Sequence, residues 1–244
     1  MTGKLSTEQF KRMDDIRANY ETIRENIALA AEKTGRRPED ITFLAATKTV
    51  EPLYINYAVS LGLDAIGENR VQELLSKYDE YDLANTDLQF IGHLQTNKVR
   101  QIIGKVSMIQ SVDSVKLAEE ISRQSVKNGV LTNVLIEVNI GREENKSGVL
   151  KENIDELIEK IAAMPSVKVR GLMSVPPICE EKQEILKFFD DMYKLFIDIS
   201  SKKLDNVCMD FLSMGMSDDY SYAILSGANM IRVGSGLFGA RIYR

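Results

Sequence analysis

Lys48 is the first residue in the chain whose setting suggests chemistry. It follows seven uncharged residues, Ile41 to Thr47, and so stands at the end of an apolar run. An amine held there is partly desolvated, which disfavours its charged form and frees it to condense with a carbonyl as a Schiff base. A lysine snorkelling from a strand end is the plain alternative. Near the other end of the chain two short apolar stretches each stop in a turn of small residues. Phe211 and Leu212 lead to Ser213-Met-Gly-Met-Ser217, and Met230, Ile231 and Val233 lead to Gly234-Ser235-Gly236. A helical turn starting there leaves backbone N–H groups unused and presents the positive end of a dipole, while glycine lets the backbone come close to a ligand. Two such turns in succession suggest a phosphate cup, with Ser217, Gly234 and Ser235 as its contacts. Ser217 also reads as an ordinary N-cap, with a helix from Asp218 to Leu225 closed by Gly227. Asp218 and Asp219 would repel a phosphate, so the cup requires them to face solvent. Arg232, two residues before Gly234, either faces a ligand ring or anion or pairs with a barrel acid such as Glu137. A Schiff-base lysine facing a phosphate site suits pyridoxal phosphate or a sugar-phosphate aldolase.

Asn69, Arg70, His93 and Asn139 end other predicted strands and make the same rim polar. Each alone reads as a loop-capping residue; His93 is the one that could serve as a base. Glu143, Glu144 and Lys146 read as an exposed loop. Met214 and Met216 pack against a flat ring or fill their turn.

The elements that must position these residues follow from periodicity. Phe10, Met13, Ile16, Tyr20, Ile23, Ile27 and Ala31 recur at helical steps and predict an amphipathic helix over residues 7–34, with Ser6 and Gln9 at capping-box spacing and Gly35 as the stop. It precedes any strand and is expected to pack outside the fold or over one end. Strands then alternate with helices: 41–47, 64–67, 88–91, 106–109, 133–138 and 167–172, then the two runs already named. Helical patterns fill the gaps, at 52–61, 115–127, 154–163 and 185–199. Eight β/α units without a Pro- or Gly-rich linker predict one domain over residues 1–244, a single (β/α)8 TIM barrel with an extra N-terminal helix. An open doubly wound sheet is the competing architecture. Barrels carry function on the loops after the strands and commonly bind phosphate after strands seven and eight, where both glycine-rich turns lie.

Composition narrows the classes. A net charge of −5 supplies no basic face for nucleic acid, and no apolar run is long enough to span a bilayer. The N-terminus lacks a signal-peptide core. Cys179 and Cys208 are far apart and fit no metal or redox spacing, and a single histidine excludes a multi-His metal site. The plain expectation is a cytoplasmic, metal-free protein, and nothing demands a dimer, so a monomer is expected.

Several longer motifs resemble one family. Phe43-Leu-Ala-Ala-Thr-Lys48, Ile66-Gly-Glu-Asn69-Arg-Val-Gln-Glu73, Phe90-Ile-Gly-His-Leu-Gln-Thr-Asn-Lys98, Arg170-Gly-Leu-Met-Ser174, Leu212-Ser-Met-Gly-Met-Ser217 and Ile231-Arg-Val-Gly-Ser235 look like those of the pyridoxal phosphate homeostasis proteins. The resemblance runs in order from about residue 10 to the C-terminus. It implies a barrel like the N-terminal domain of alanine racemase, with pyridoxal 5'-phosphate held as a Schiff base on Lys48. It further implies that Ser217, Gly234 and Ser235 bind the phosphate, that Arg232 faces the pyridine nitrogen, and that Asn69 and Met214 line the pocket. Ser235 stands where families of this kind have threonine and keeps the hydroxyl.

An arginine beside the pyridine nitrogen disfavours its protonation and makes the ring a weak electron sink. Racemases of this fold take a second acid/base, a tyrosine, from a separate β-domain, for which this chain leaves no length. The implied role is therefore non-catalytic: binding the cofactor, buffering it or passing it to apo-enzymes, and keeping vitamin B6 pools in balance. A racemase-like enzyme using Lys48 and another rim residue such as His93 is the first alternative. A Schiff-base aldolase acting on a sugar phosphate is the second.

Overall fold

The computed structural model describes residues 5–84, 86–179 and 181–240. Eight parallel strands close on themselves in sequence order: β1 (Thr42–Ala46), β2 (Ala65–Glu68), β3 (Asp87–Phe90), β4 (Met108–Val112), β5 (Thr132–Glu137), β6 (Val167–Met173), β7 (Val207–Ser213) and β8 (Met230–Val233). The chain is a (β/α)8 barrel. Helix α1 (Thr7–Glu32) precedes β1; the others are α2 (Pro52–Ser60), α3 (Val71–Lys77), α4 (Val115–Asn128), α5 (Ile154–Ala162), α6 (Lys182–Ser201), α7 (Tyr220–Leu225) and α8 (Ser235–Phe238). After β3 the connection makes only a 3-10 segment, Thr96–Gln101, where a full β/α unit was expected.

The strands separate two apolar layers. Phe43, Ile66, Phe90, Ile109, Ile136 and Ile231 face outward into the large core beneath the helices. Their neighbours Leu44, Ala65 and Met230, and on the other side Met108, Leu135 and Met173, fill the barrel, with Phe211 packed against both groups. At the end where the strands begin, Arg170 caps this interior, 2.5 Å from Asp210 and stacked on the Phe211 ring at 5.4 Å. A packed floor leaves the opposite rim as the place for a ligand.

Helix α1 starts with the expected capping box: Gln9 N–H donates to Ser6 Oγ at 3.2 Å, and Ser6 N–H to Gln9 Oε1 at 2.8 Å. It lies outside the barrel against α2, α7 and α8. Asn19 donates to the Leu237 carbonyl at 3.0 Å and Asn26 to the Tyr220 hydroxyl at 3.0 Å, so the first helix is tied to the two that follow the glycine-rich turns. Arg36, just beyond α1, sends its guanidinium to the carbonyls of Ile224 and Ala228 and closes the C-terminal end of α7. No helix among the described residues is long and apolar enough to cross a membrane.

Two further sequence expectations need correction. Strand β4 does not end at residue 109; Gln110 and Ser111 lie inside it and are fully buried. A change of register between Ile109 and Val112 accommodates them. Helix α7 begins at Tyr220 rather than Asp218, and its N-cap position is Asp219; Ser217 sits earlier, in the preceding turn.

Candidate functional site at the β7, β8 and β1 rim

Strands β1 and β8 are neighbours, with Leu44 opposite Arg232 and Ala45 opposite Val233. This register carries Lys48 and the Gly234 turn to the same rim. A Cβ on Gly234 would stand 3.3 Å from the Ala46 carbonyl oxygen, so a side chain there would crowd the seam between the strands. Lys48 lies two residues past the end of β1 and is half-buried.

The two turns meet. Gly236 N–H donates to Ser217 Oγ at 3.0 Å, and Ser235 Oγ donates to the same oxygen at 3.2 Å. Leu237 and Phe238 N–H groups both turn back to the Gly234 carbonyl, which starts α8. An anion that displaced Ser217 Oγ as acceptor would meet the Gly236 amide and the hydroxyls of Ser217 and Ser235, a donor set suited to phosphate oxygens. Gly215, at φ +93°, makes the tight bend that brings Ser217 here; a Cβ on it would lie 2.6 Å from that of Ala223. Asp218 is exposed, as the cup requires. Asp219 is half-buried and accepts the Met216 N–H at 2.5 Å, which pins the turn from behind. Burial pushes the Asp219 carboxyl above its ordinary range.

Arg232 is only 5% exposed and belongs to a chain of polar groups inside the upper barrel. Its Nη1 donates to Ser213 Oγ at 2.7 Å and its Nη2 to the Ser174 carbonyl at 2.8 Å. Ser213 donates in turn to Gln110 Oε1 at 2.7 Å, and Gln110 Nε2 donates to Gln89 Oε1 at 2.6 Å. The guanidinium is thus fixed by neutral acceptors rather than by a carboxylate. Glu137 acts on it only through its charge. Burial brings the Arg232 pKa down to about 10, so the group stays charged at neutral pH. Burial, helped by Asp113, raises the Glu137 carboxyl to about 7, and its Oε2 is shut off from solvent without a hydrogen-bond partner.

The remaining predicted residues divide. Asn69 is half-buried, with Oδ1 enclosed and unpartnered, and the backbone of Gly92 runs directly against its own. Met214 is fully buried in the layer beneath the helices, its N–H bound to the Met230 carbonyl at 3.1 Å. His93 is exposed and meets Ser147 Oγ at 3.2 Å. Asn139 closes its own loop: its amide donates to the Glu143 carbonyl at 2.9 Å and its Oδ1 accepts the Glu143 N–H at 3.2 Å. Sequence reasoning missed Ser213 and the Ser174 carbonyl as the holders of Arg232, and Gln110 behind Ser213. Polar residues at the end of an apolar run were read as the strand's end, whereas here they face the barrel interior.

The alanine racemase N-terminal domain profile matches residues 13–242. A pyridoxal phosphate homeostasis protein of Aquifex aeolicus is 43% identical over 221 residues, which are 91% of this chain and 96% of the relative. The chain belongs to the pyridoxal phosphate homeostasis protein family. The family member from Escherichia coli K12 is 35% identical over 234 residues, covering 95% of this chain and 99% of its own. Among solved structures, a protein from Bifidobacterium adolescentis superposes with a TM-score of 0.90 at 31% identity, covering 97% of this chain and 98% of that one. PipY of Synechococcus elongatus, solved with pyridoxal phosphate bound, superposes with a TM-score of 0.76 at 29% identity over 87% of this chain and all of its own. Alanine racemase of Clostridium difficile shares the fold alone, at 17% identity and a TM-score of 0.72.

Proposed function

We propose that this protein binds pyridoxal 5'-phosphate and serves in its homeostasis as a non-catalytic holder. The observation that carries the reading is the joined cup of Ser217, Ser235 and Gly236, lying across the β1–β8 seam from the strand that ends toward Lys48. The residues fit the group: the cup supplies donors for a phosphate, Arg232 supplies a fixed cation for the ring, and Asn69 supplies an enclosed acceptor. Gly234 contributes backbone at a point where a Cβ would crowd Ala46, and Met214 packs behind its turn. When bound, the cofactor would supply an aldehyde, and Lys48 would be the amine that holds it as a Schiff base.

The chain's own groups then favour holding over turnover. Arg232 remains charged at neutral pH and is hydrogen-bonded to the neutral acceptors Ser213 Oγ and the Ser174 carbonyl, so it opposes protonation of a ring nitrogen beside it. His93 is engaged with Ser147 and exposed, a setting that favours a loop contact over a base. Release to apo-enzymes in the cytoplasm, with the protein acting as a monomer, completes the reading. The names of the relatives support homeostasis rather than a reaction.

The test is the visible absorbance of wild type and Lys48→Ala after incubation with pyridoxal phosphate, before and after borohydride. A yellow band in wild type, lost on reduction with the label fixed at Lys48, is the expected result. A wild type that takes up no cofactor sinks the proposal. Racemisation of alanine that disappears in Lys48→Ala would replace the holder with an enzyme.

A further inference from the structure

Beneath Lys48 lies a buried cluster of charges that the cofactor reading does not use. Glu68, at the end of β2, is completely buried, and its Oε1 accepts three hydrogen bonds: from Thr47 Oγ1 at 2.8 Å, Lys77 Nζ at 3.0 Å and Tyr81 OH at 2.7 Å. Lys77 spends its other donors on the Thr47 carbonyl at 3.1 Å and on Glu73 Oε1 at 2.6 Å. Glu73 Oε1 also accepts the N–H of Thr49. The side chains of Lys77 and Glu73 are only 11% and 19% exposed, so these bonds are weakly screened. Bonds from this cluster thus reach Thr47 and Thr49, the two residues flanking Lys48.

The loop needs such a hold. Val50 N–H returns to the Thr47 carbonyl at 3.0 Å, which makes Lys48 and Thr49 the central pair of a tight turn. Thr49 has φ +64°, a conformation that β-branched residues rarely adopt and glycine adopts without strain. Strain of this kind persists only where surrounding contacts over-determine it. We propose that Glu73, with Lys77 and Glu68, is the positioning device of Lys48: it locks the peptide units on both sides and so aims the amine at the cup. The inference rests on the preceding reading of Lys48 as the attachment residue.

The experiment compares wild type, Glu73→Ala, Glu73→Gln and the double variant Glu73→Ala/Thr49→Gly, with thermal unfolding as a control for folding. Two quantities are read: the rate of pyridoxal phosphate attachment, trapped with borohydride and located by peptide mass spectrometry, and the affinity for pyridoxine 5'-phosphate, which has no aldehyde. Because small misplacements of a reacting group cost up to about 100-fold, Glu73→Ala should slow attachment at Lys48 by about 10- to 100-fold. Its affinity for the aldehyde-free analogue should stay within about threefold, since the cup's hydrogen bonds are untouched. Glu73→Gln keeps an acceptor for the Thr49 N–H and should keep the wild-type rate. Thr49→Gly, by removing the strain, should recover about tenfold of the loss in the double variant. Attachment in Glu73→Ala as fast as in wild type overturns the inference alone, as does a parallel loss of analogue binding or no recovery in the double variant. A wild type that takes no label at Lys48 overturns the cofactor reading and this inference with it.

Discussion

The Gly236 amide and the Ser217 hydroxyl oxygen are 3.0 Å apart, which joins the turn after β7 to the turn after β8. The donors are thus gathered before any anion arrives, and an incoming phosphate takes over the Gly236 N–H and the Ser235 hydroxyl from Ser217 Oγ. Ser217→Ala removes both the acceptor that holds Gly236 and a hydroxyl donor. Since hydrogen bonds to charged groups contribute about 1.5–3 kcal/mol, affinity for pyridoxine 5'-phosphate should fall by about 10- to 100-fold, measured by calorimetry. Unchanged affinity would move the phosphate elsewhere.

Glu137 gives a pH signature. Its carboxyl is raised to about 7 in the folded protein against an ordinary 4.5, so the folded state keeps a proton that the unfolded chain has released. Stability from this group is therefore full below the unfolded pKa and is lost as pH rises toward the folded one. The two values differ by about 2.5 units, which corresponds to roughly 3 kcal/mol. Glu137→Gln should remove that dependence, stabilising the protein at pH well above 7 and changing little in mild acid. Denaturant unfolding without added cofactor checks it; an equal effect at both pH values would contradict the assignment.

Arg36 is a structural keystone far from the rim. Its guanidinium serves the carbonyls that end α7, and burial lowers its pKa. Arg36→Met leaves those acceptors unpaired, at an expected cost of about 2–3 kcal/mol in unfolding free energy. Circular dichroism during guanidinium titration would read it.

Gly92 and Asn69 test the second strand's contribution. A Cβ at residue 92 would come within 2.2 Å of the Asn69 carbonyl oxygen, a backbone atom that cannot swing aside. Gly92→Ala should destabilise the protein by about 3 kcal/mol and weaken binding of the aldehyde-free analogue as well, because Asn69 is displaced. A stable variant with full affinity would show that Asn69 has no part in the site.

Much of this was legible because a barrel buries its strands on both faces and so writes them as apolar runs, as with Ile41–Thr47. The glycine-rich turns were legible for a similar reason, since close backbone approach leaves few residue choices. What periodicity hides is polarity turned inward. Gln110 and Ser111 look like the end of a strand but belong to its interior, and Gln110 joins Ser213 and Arg232 in the polar upper barrel. Glu73 and Lys77 have the spacing of a solvated helical ion pair, and nothing in that spacing says that both reach under the Lys48 turn. The alternative of Arg232 paired with Glu137 was undecidable from sequence because the competing acceptor is a main-chain carbonyl, at Ser174.

The tie between Asn19 and the Leu237 carbonyl, together with the β1–β8 seam, has a consequence for synthesis. Helix α1, β1 and β8 must meet before Ser217, Gly234 and Gly236 can form the cup. A chain under synthesis therefore lacks the site until β8 and the turn after it have emerged and paired with β1. Before that point the growing polypeptide has Lys48 but no cup opposite it.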